Sequence, residues 1–335
     1  MIMDKKNKKT TIKDIAEHCN VSKTAVSLVM NKKQSGIGIS KSKAELILKT
    51  AMKMNYQPLQ AALELSGRRK KKKKVLLVSP WLDMSNSYFM SEVYTAMQQF
   101  SEKIIFESKL FNAGKLNETL ASKELAIYDA IFVMGTSNKE HTQLQRLADE
   151  GMKIVLINRH VKGCSCYLTD NLMSGELLAQ HVLNSDYYDN YYLWSFPRAS
   201  QVIKDREAGL KKVFKTHGKK LEILKASEED VPYEYFAARK HIFVSGSSLI
   251  FFNYDDLALQ AMLFFMQKGF QVPEKIGFVG HDNIPTVRNL QPRITTSDAK
   301  ISEAVACALQ DLLDNKLTGN IRTFKPEVIP GNSSQ

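Results

Sequence analysis

The chain has 335 residues, 44% hydrophobic and 24% charged, with 47 Lys and Arg against 35 Asp and Glu for a formal net charge of +12. That usage excludes a wholly disordered or fibrous chain, and no uninterrupted apolar run approaches the ~20 residues of a membrane span. The length is about twice that of a usual single domain, so two or more globular units are expected. Residues 1–10 are polar and lysine-rich with no apolar h-region; a secretory signal is not expected, and a cytoplasmic protein without membrane attachment is. Cys19, Cys164, Cys166 and Cys307 are too few and too irregular for a disulfide framework. Cys164-Ser165-Cys166 lacks the two-residue gap and the second ligand pair of a zinc knuckle, so reduced thiols and no metal are expected.

The charge is unevenly placed. Residues 1–74 hold 19 Lys and Arg against five acids, or +14, and the other 261 residues hold 28 against 30, or −2. Such an asymmetry points to a polyanion partner for the first fifth of the chain alone, and charge does not choose between nucleic acid and an acidic membrane surface.

The side-chain pattern does choose. Thr11 starts a helix as its cap, with Asp14 placed to complete a capping box. Ile12, Ile15 and Ala16 repeat at helical spacing, and Asn20-Val21 breaks the helix, since Asn tolerates a left-handed turn. Ser22 caps a second helix whose apolar stripe is Ala25, Val26 and Val29, while Lys23, Thr24 and Ser27 point the other way. A third helix from Ser40 carries Ala44, Ile47, Ala51 and Met54 on one face. Three short helices with a tight turn between the first two predict a helix-turn-helix unit. In that geometry the second helix enters the major groove and presents its N-terminal residues, here Lys23, Thr24 and Ser27, to base edges. A plain three-helix domain with a solvated polar face is the rival, and the surrounding charge weighs against it. Short, weakly amphipathic helices suit a membrane surface poorly.

The stretches 11–16 and 21–27, then Asn31, Ile39-Ser40, Ala51 and Asn55-Tyr56-Gln57-Pro58, resemble the headpiece of the LacI/GalR family of bacterial transcriptional repressors in register over residues 10–67. Leu28 stands where that family often has Arg, three extra residues lie between Asn31 and Ile39, and Leu59 replaces the usual Asn. The resemblance implies DNA contact by Thr11, Ser22, Lys23, Thr24, Ser27, Asn31, Tyr56, Ala62 and Leu65. Pro58 suits the first turn of a further helix, with Ala61, Ala62 and Leu65 on one face and Gly67 ending it. In the family such a hinge helix folds on DNA, pairs with its dimer mate and inserts a leucine, here Leu65, into the minor groove; the alternative is a plain linker helix. Arg68 to Lys74 are seven consecutive cations, read either as a solvated linker or as direct phosphate contacts.

From residue 75 onward β-rich apolar runs (75–79, 104–106, 130–134, 154–158, 191–194, 249–252 and 276–279) alternate with helical patterns (87–101, 139–150, 175–183, 200–216 and 255–268). Alternation over that length predicts two α/β lobes with parallel sheets, with ligands beyond the carboxyl ends of the strands. There is no Gly-x-Gly-x-x-Gly, Walker loop, His-Glu-x-x-His or Gly-x-Ser-x-Gly, and the histidines do not cluster, so neither an enzyme nor a cofactor is expected.

This part resembles the LacI/GalR effector domain, which has the two-lobed fold of periplasmic sugar-binding proteins, through residues 85–89, 155–159, 170–171, 205–209, 255–259, 272–274 and 279–282. The resemblance implies ligand contact by Phe89, Arg206 and Asp282, and by Tyr254, which stands where the family has Asn. An aromatic face suits a sugar ring or a base, and Arg and Asp suit hydroxyls or a carboxylate. The alternative gives Asp282 a capping role and Arg206 a surface ion pair. Trp81, Trp194 and Phe196 also follow strands and are read as lining the cleft or packing the core.

The expected fold is thus an all-α helix-turn-helix headpiece (1–57), a hinge helix and basic linker (58–74) and a two-lobed α/β effector-binding and dimerisation domain (75–335). The expected function is that of a homodimeric repressor on a near-palindromic double-stranded operator, modulated by a small sugar-like effector. Three rivals remain: a small-molecule binding module with non-specific polyanion attachment, an enzyme of the α/β class, and a regulator controlled by a protein partner.

Overall fold

The computed structural model describes residues 10–30, 39–54, 56, 72–79, 87–111, 116, 120, 123–136, 138–195, 200–227, 230 and 232–335. The chain divides into two compact units, Met1–Lys71 and Lys72–Gln335.

Among the described residues of the first unit three helices enclose a small core: α1 (Ile12–His18), α2 (Lys23–Met30) and α3 (Lys41–Lys53). Thr11 and Asp14 form the expected capping box, and Asn20 turns the chain at φ 50°. Ser22 Oγ accepts from Ala25 N at 3.1 Å, and Ser40 Oγ accepts from Lys43 N at 3.4 Å. Ile15, Ala16, Val26, Val29, Ala44, Ile47 and Ala51 are buried together. Each large aliphatic side chain so buried contributes ~1.5–3 kcal/mol. Ala25 is half-buried, so the expected stripe of α2 narrows to Val26 and Val29. Thr10 Oγ1 donates to Met54 O at 2.7 Å and ties the two ends of the unit together.

The second unit runs β1 (Lys73–Ser79), α4 (Ser87–Gln98), β2 (Ile104–Leu110), β3 (Ala130–Val133), α5 (Asn138–Asp149), β4 (Ile154–Ile157) and β5 (Ser165–Thr169). It continues through α6 (Asn171–Leu183), β6 (Asn190–Ser195), α7 (Gln201–Thr216), β7 (Glu222–Lys225), α8 (Pro232–Arg239), β8 (Ser248–Phe251), α9 (Asp255–Gln267) and β9 (Ile276–Val279). It ends with α10 (Pro285–Arg288), β10 (Thr296–Asp298), α11 (Ile301–Leu313), β11 (Ile321–Phe324) and β12 (Glu327–Ile329). A six-stranded sheet has the order β11-β5-β4-β3-β1-β2, a four-stranded sheet the order β7-β6-β8-β9, and β10 pairs with β12. Every pairing within the two larger sheets is parallel.

Alternate residues of each strand face opposite sides. Leu77, Phe132 and Val155 pack beneath α4 and α11, while Val78, Ile131 and Leu156 pack on the other face with Leu144 of α5. In the second sheet Trp194, Phe252 and Phe278 face α8 and α9, and Leu193, Phe251 and Val279 face α6 and α7. Both faces are covered, as parallel sheets require. Chain-distant segments close the first lobe: α11 and β11 come from beyond residue 300.

The chain therefore crosses between lobes after β5, after β10 and after β11, and the crossings are bonded to one another. Thr169 Oγ1 donates to Ala299 O at 2.5 Å, Asp170 N to Phe324 O at 2.9 Å and Lys300 Nζ to Glu327 Oε2 at 2.8 Å.

β1 starts two residues earlier than the apolar run, because Asp129 holds it: Lys73 Nζ lies 3.2 Å from Asp129 Oδ1 and Lys74 N donates to Oδ2 at 2.8 Å. Two of the basic-run lysines are thus strand residues. Trp194 lies inside β6, fully buried against Tyr235, Phe236 and Phe252, so it is a core residue and not a cleft residue. Cys164 and Cys166 are buried, and burial pushes the Cys164 thiol up to about 12. Such thiols are inert packing groups. Asn31, Trp81, Phe196, the stretch 58–66 with Ala62 and Leu65, and Arg68 to Lys71 lie outside the described residues. Among the described residues no helix is long and apolar enough to cross a membrane.

Candidate functional site

Two surfaces carry the chemistry, one in each unit. In the first, the Ser22 cap fixes where α2 begins, and burial of Val26 and Val29 fixes its rotation. Lys23 and Thr24 are therefore exposed at the N-terminal end, one turn before the half-buried Ser27. The Thr11 hydroxyl donates to Asp14 Oδ2 at 2.7 Å, so it serves the α1 cap. Tyr56 is half-buried against the three-helix core, where burial raises its phenol pKa. Lysine and hydroxyl donors at the start of a helix, above a folded support, match what a major groove reads.

In the second unit the order β2-β1-β3-β4 reverses direction at β1, and β7-β6-β8-β9 reverses at β6. Open α/β sheets bind ligands at such reversals, beyond the carboxyl ends of the strands. A cavity of about 100 Å³ lies there, lined by Gly135 after β3, Asn158 and Arg159 after β4, Tyr254 after β8 and Asp282 after β9, with Phe89 and Arg206 from α4 and α7. The structure thus brings Phe89, Arg206, Tyr254 and Asp282 together.

Arg206 is 2% exposed and its donors are directed by three partners. Nη2 donates to Asp282 Oδ1 at 2.6 Å, Nη1 to Asn253 O at 2.7 Å and Nε to Asn171 Oδ1 at 3.1 Å. A surface ion pair is therefore not its role. Attraction and hydrogen bonding from Asp282 outweigh burial and hold its pKa raised. Gly175 and Gly209 place this arginine: a Cβ on either would strike the backbone of the facing helix, so α6 and α7 cross in close contact at Arg206. Asp282 takes φ 101° and the next residue, Asn283, φ 51°, with Asp282 N donating to Ser297 O at 2.8 Å. A non-glycine residue held at positive φ costs of order 1–3 kcal/mol and clusters at functional sites.

Behind Asp282, His281 is fully buried; its Nδ1 lies 3.0 Å from Ser174 Oγ and 2.8 Å from Ser297 Oγ. Burial lowers its pKa well below the ordinary imidazole value, so the ring is neutral. Asp255 is buried too, accepting from Thr296 Oγ1 at 2.6 Å and Ile284 N at 3.0 Å, with its carboxyl pKa pushed well up by burial. Sequence reasoning did not single out Tyr88, Arg159, Asn171 or Asn253 as site residues. Arg159 carried a usable signal, being among the first residues past a strand end.

Among the described residues no group of His, Cys, Asp and Glu is placed to hold a metal. An arginine clamped by a carboxylate and amides beside two aromatic rings has the chemistry to orient a small polar molecule.

A helix-turn-helix module joined to a two-lobed α/β binding unit defines a class, the ligand-binding DNA regulators. Residues 11–59 match the family described as bacterial regulatory proteins of the lacI family, and residues 187–334 match a periplasmic binding protein-like domain. The probable HTH-type transcriptional repressor ExuR of Bacillus subtilis is 23% identical over 316 residues, 90% of each chain. The ribose operon repressor of Halalkalibacterium halodurans is 24% identical over 327 residues, 95% of this chain and 94% of that one. A LacI-family transcriptional regulator from Silicibacter pomeroyi superposes with a TM-score of 0.67 at 19% identity, covering 97% of this chain and all of the other. The lac repressor dimer bound to operator gives a TM-score of 0.72 at 16% identity, covering 97% and 99%. The chain thus combines a lacI-family DNA-binding domain with a periplasmic binding protein-like domain, and it is similar along most of its length to LacI-family transcriptional regulators.

Proposed function

We propose that the protein is a cytoplasmic homodimeric repressor whose two headpieces bind the halves of a near-palindromic operator, and whose affinity for it is set by a small polar metabolite held between the lobes. The observation that carries this reading is the support of α2: a capped start and a buried Val26–Val29 stripe leave Lys23 and Thr24 exposed on the opposite face. Ser22, Thr11 and Tyr56 frame that face through caps and packing, with Ser27, Asn31, Ala62 and Leu65 as further DNA contacts. Phe89, Arg206, Tyr254 and Asp282 hold the metabolite. We divide the chain accordingly into a headpiece to residue 57, a hinge and linker to residue 74 and an effector domain beyond. Two of the relatives carry the names of a probable transcriptional repressor and a ribose operon repressor, and a solved LacI family regulator from Enterococcus faecium holds bound ribose. Coupling between the sites requires a ligand with different affinities for two lobe arrangements. Selection of bound duplexes from a random pool tests the reading. Enrichment of a two-fold symmetric sequence supports it; a recovered pool with no consensus refutes it.

A further inference from the structure

The cleft has an unbalanced charge. Among the residues lining it, the charged groups are Arg159, Arg206 and Asp282. Asp282 neutralises Arg206 at 2.6 Å. Arg159 Nε donates to Thr136 O at 3.3 Å and Nη1 to Asn158 O at 2.7 Å, both uncharged backbone carbonyls. Among the described residues no carboxylate pairs with Arg159, and burial together with the like charge of Arg206 lowers its guanidinium pKa. The neighbouring acid does not answer it. Asp255 lies buried behind the cleft, engaged by Thr296 and Ile284.

Across the Tyr88–Asp282 wall lies a second cavity where Glu92, Asp298 and Glu303 outnumber Arg288 and Lys300, and both of those cations are paired, Arg288 with Glu92 at 3.0 Å and Lys300 with Glu327 at 2.8 Å and Asp298 at 3.6 Å. The uncompensated positive charge is thus confined to the Arg159 side. A guanidinium has five N–H donors in a planar fork that matches carboxylate and phosphate oxygens. Carbonyls engage two of those on Arg159.

We infer that the effector held in this cleft is an anion, a carboxylate or phosphate derivative of a small polyol, and that Arg159 is the residue that selects its charge. The inference rests on the reading of this cleft as the effector site, and it narrows that reading to one ligand class. Neutral sugars leave Arg159 unpaired, whereas an anionic group completes the cleft's charge balance.

The test is calorimetric titration of the full chain with inorganic phosphate and with matched pairs: ribose and ribose 5-phosphate, galactose and galacturonate, glucose and gluconate. Wild type, Arg159→Gln and Arg159→Lys are compared at constant ionic strength. At least one acid should bind ~tenfold or more tightly than its neutral partner, with Arg159→Gln erasing the preference and Arg159→Lys keeping part of it. Preference in the phosphate arm assigns a phosphate, and preference in the uronate or gluconate arm a carboxylate. Arg159→Gln should unfold at the wild-type temperature or above it, since it removes an unpaired cation. The inference is overturned if neutral partners bind as well as the acids, if the preference survives in Arg159→Gln, if Arg159→Gln unfolds at a lower temperature, or if neither phosphate nor any acid binds. Operator titration of the same wild-type preparation keeps the two readings apart, because loss of DNA specificity would leave the charge preference standing.

Discussion

The Tyr88 hydroxyl donates to Asp282 Oδ2 at 2.6 Å, and Asp282 Oδ1 accepts from Arg206 at the same distance. Tyr88 belongs to a helix packed on the six-stranded sheet, yet its ring packs against the core of the other lobe. One carboxylate therefore joins the two lobes through a phenol and fixes the arginine of the cleft. Burial and the charge of Asp282 both raise the Tyr88 pKa, so the donor stays protonated.

Tyr88→Phe removes that donor while keeping the ring. A hydrogen bond to a charged group contributes about 1.5–3 kcal/mol, and the Asp282 side chain is only 8% exposed. The denaturant midpoint of the second unit should fall accordingly. An unchanged midpoint would show that the bond contributes nothing in solution.

Gly175→Ala places a methyl group against the carbonyl of Arg206, where α6 and α7 cross. Overpacking of this kind costs about 1–3 kcal/mol and moves the backbone that carries the cleft arginine. Thermal unfolding should show a lower midpoint; a wild-type midpoint would mean that the helices separate freely.

How much of this was legible in the sequence follows from where each signal comes from. The three described helices of the first unit were legible almost residue by residue, because caps, turn and stripe are local: Thr11, Asn20 and Ser22 do what their chemistry dictates. The strands carrying the site were legible as apolar runs. β5 was not, since Ser165-Cys166-Tyr167-Leu168-Thr169 has few β-branched residues and takes its conformation from neighbours on both sides. The lobe crossings and α11 depend on contacts between segments some 130 residues apart, such as Thr169 with Ala299, which no local pattern reports. Trp194 stayed open between cleft and core because a strand end and a strand interior look alike in an apolar run; its burial decides for the core. The partners of Arg206 were hidden for a similar reason: Asn171 and Asn253 act through folded proximity.

Burial of His281 gives a pH dependence with a definite sign. Its folded pKa is depressed by burial, so the unfolded chain takes up a proton that the folded ring refuses. Its contribution to stability is complete above the unfolded value of about 6.5 and is lost as pH falls toward the depressed folded value. Wild type should lose more stability than His281→Asn between about pH 7 and pH 5 by denaturant titration. Equal losses would show that the ring is protonated in the fold.

Lys23→Ala tests base reading by α2. Loss of one good base contact costs about 1–3 kcal/mol and relaxes preference at a single position of each half-site. A loss spread evenly over all sequences would assign Lys23 to phosphate contact.

The account rests most heavily on sequence-specific reading by the first unit. Competition titration of the selected operator against random duplex at physiological salt measures it directly. The account predicts binding to the operator at least ~10³-fold tighter than to random DNA; equal affinities for the two duplexes would contradict it.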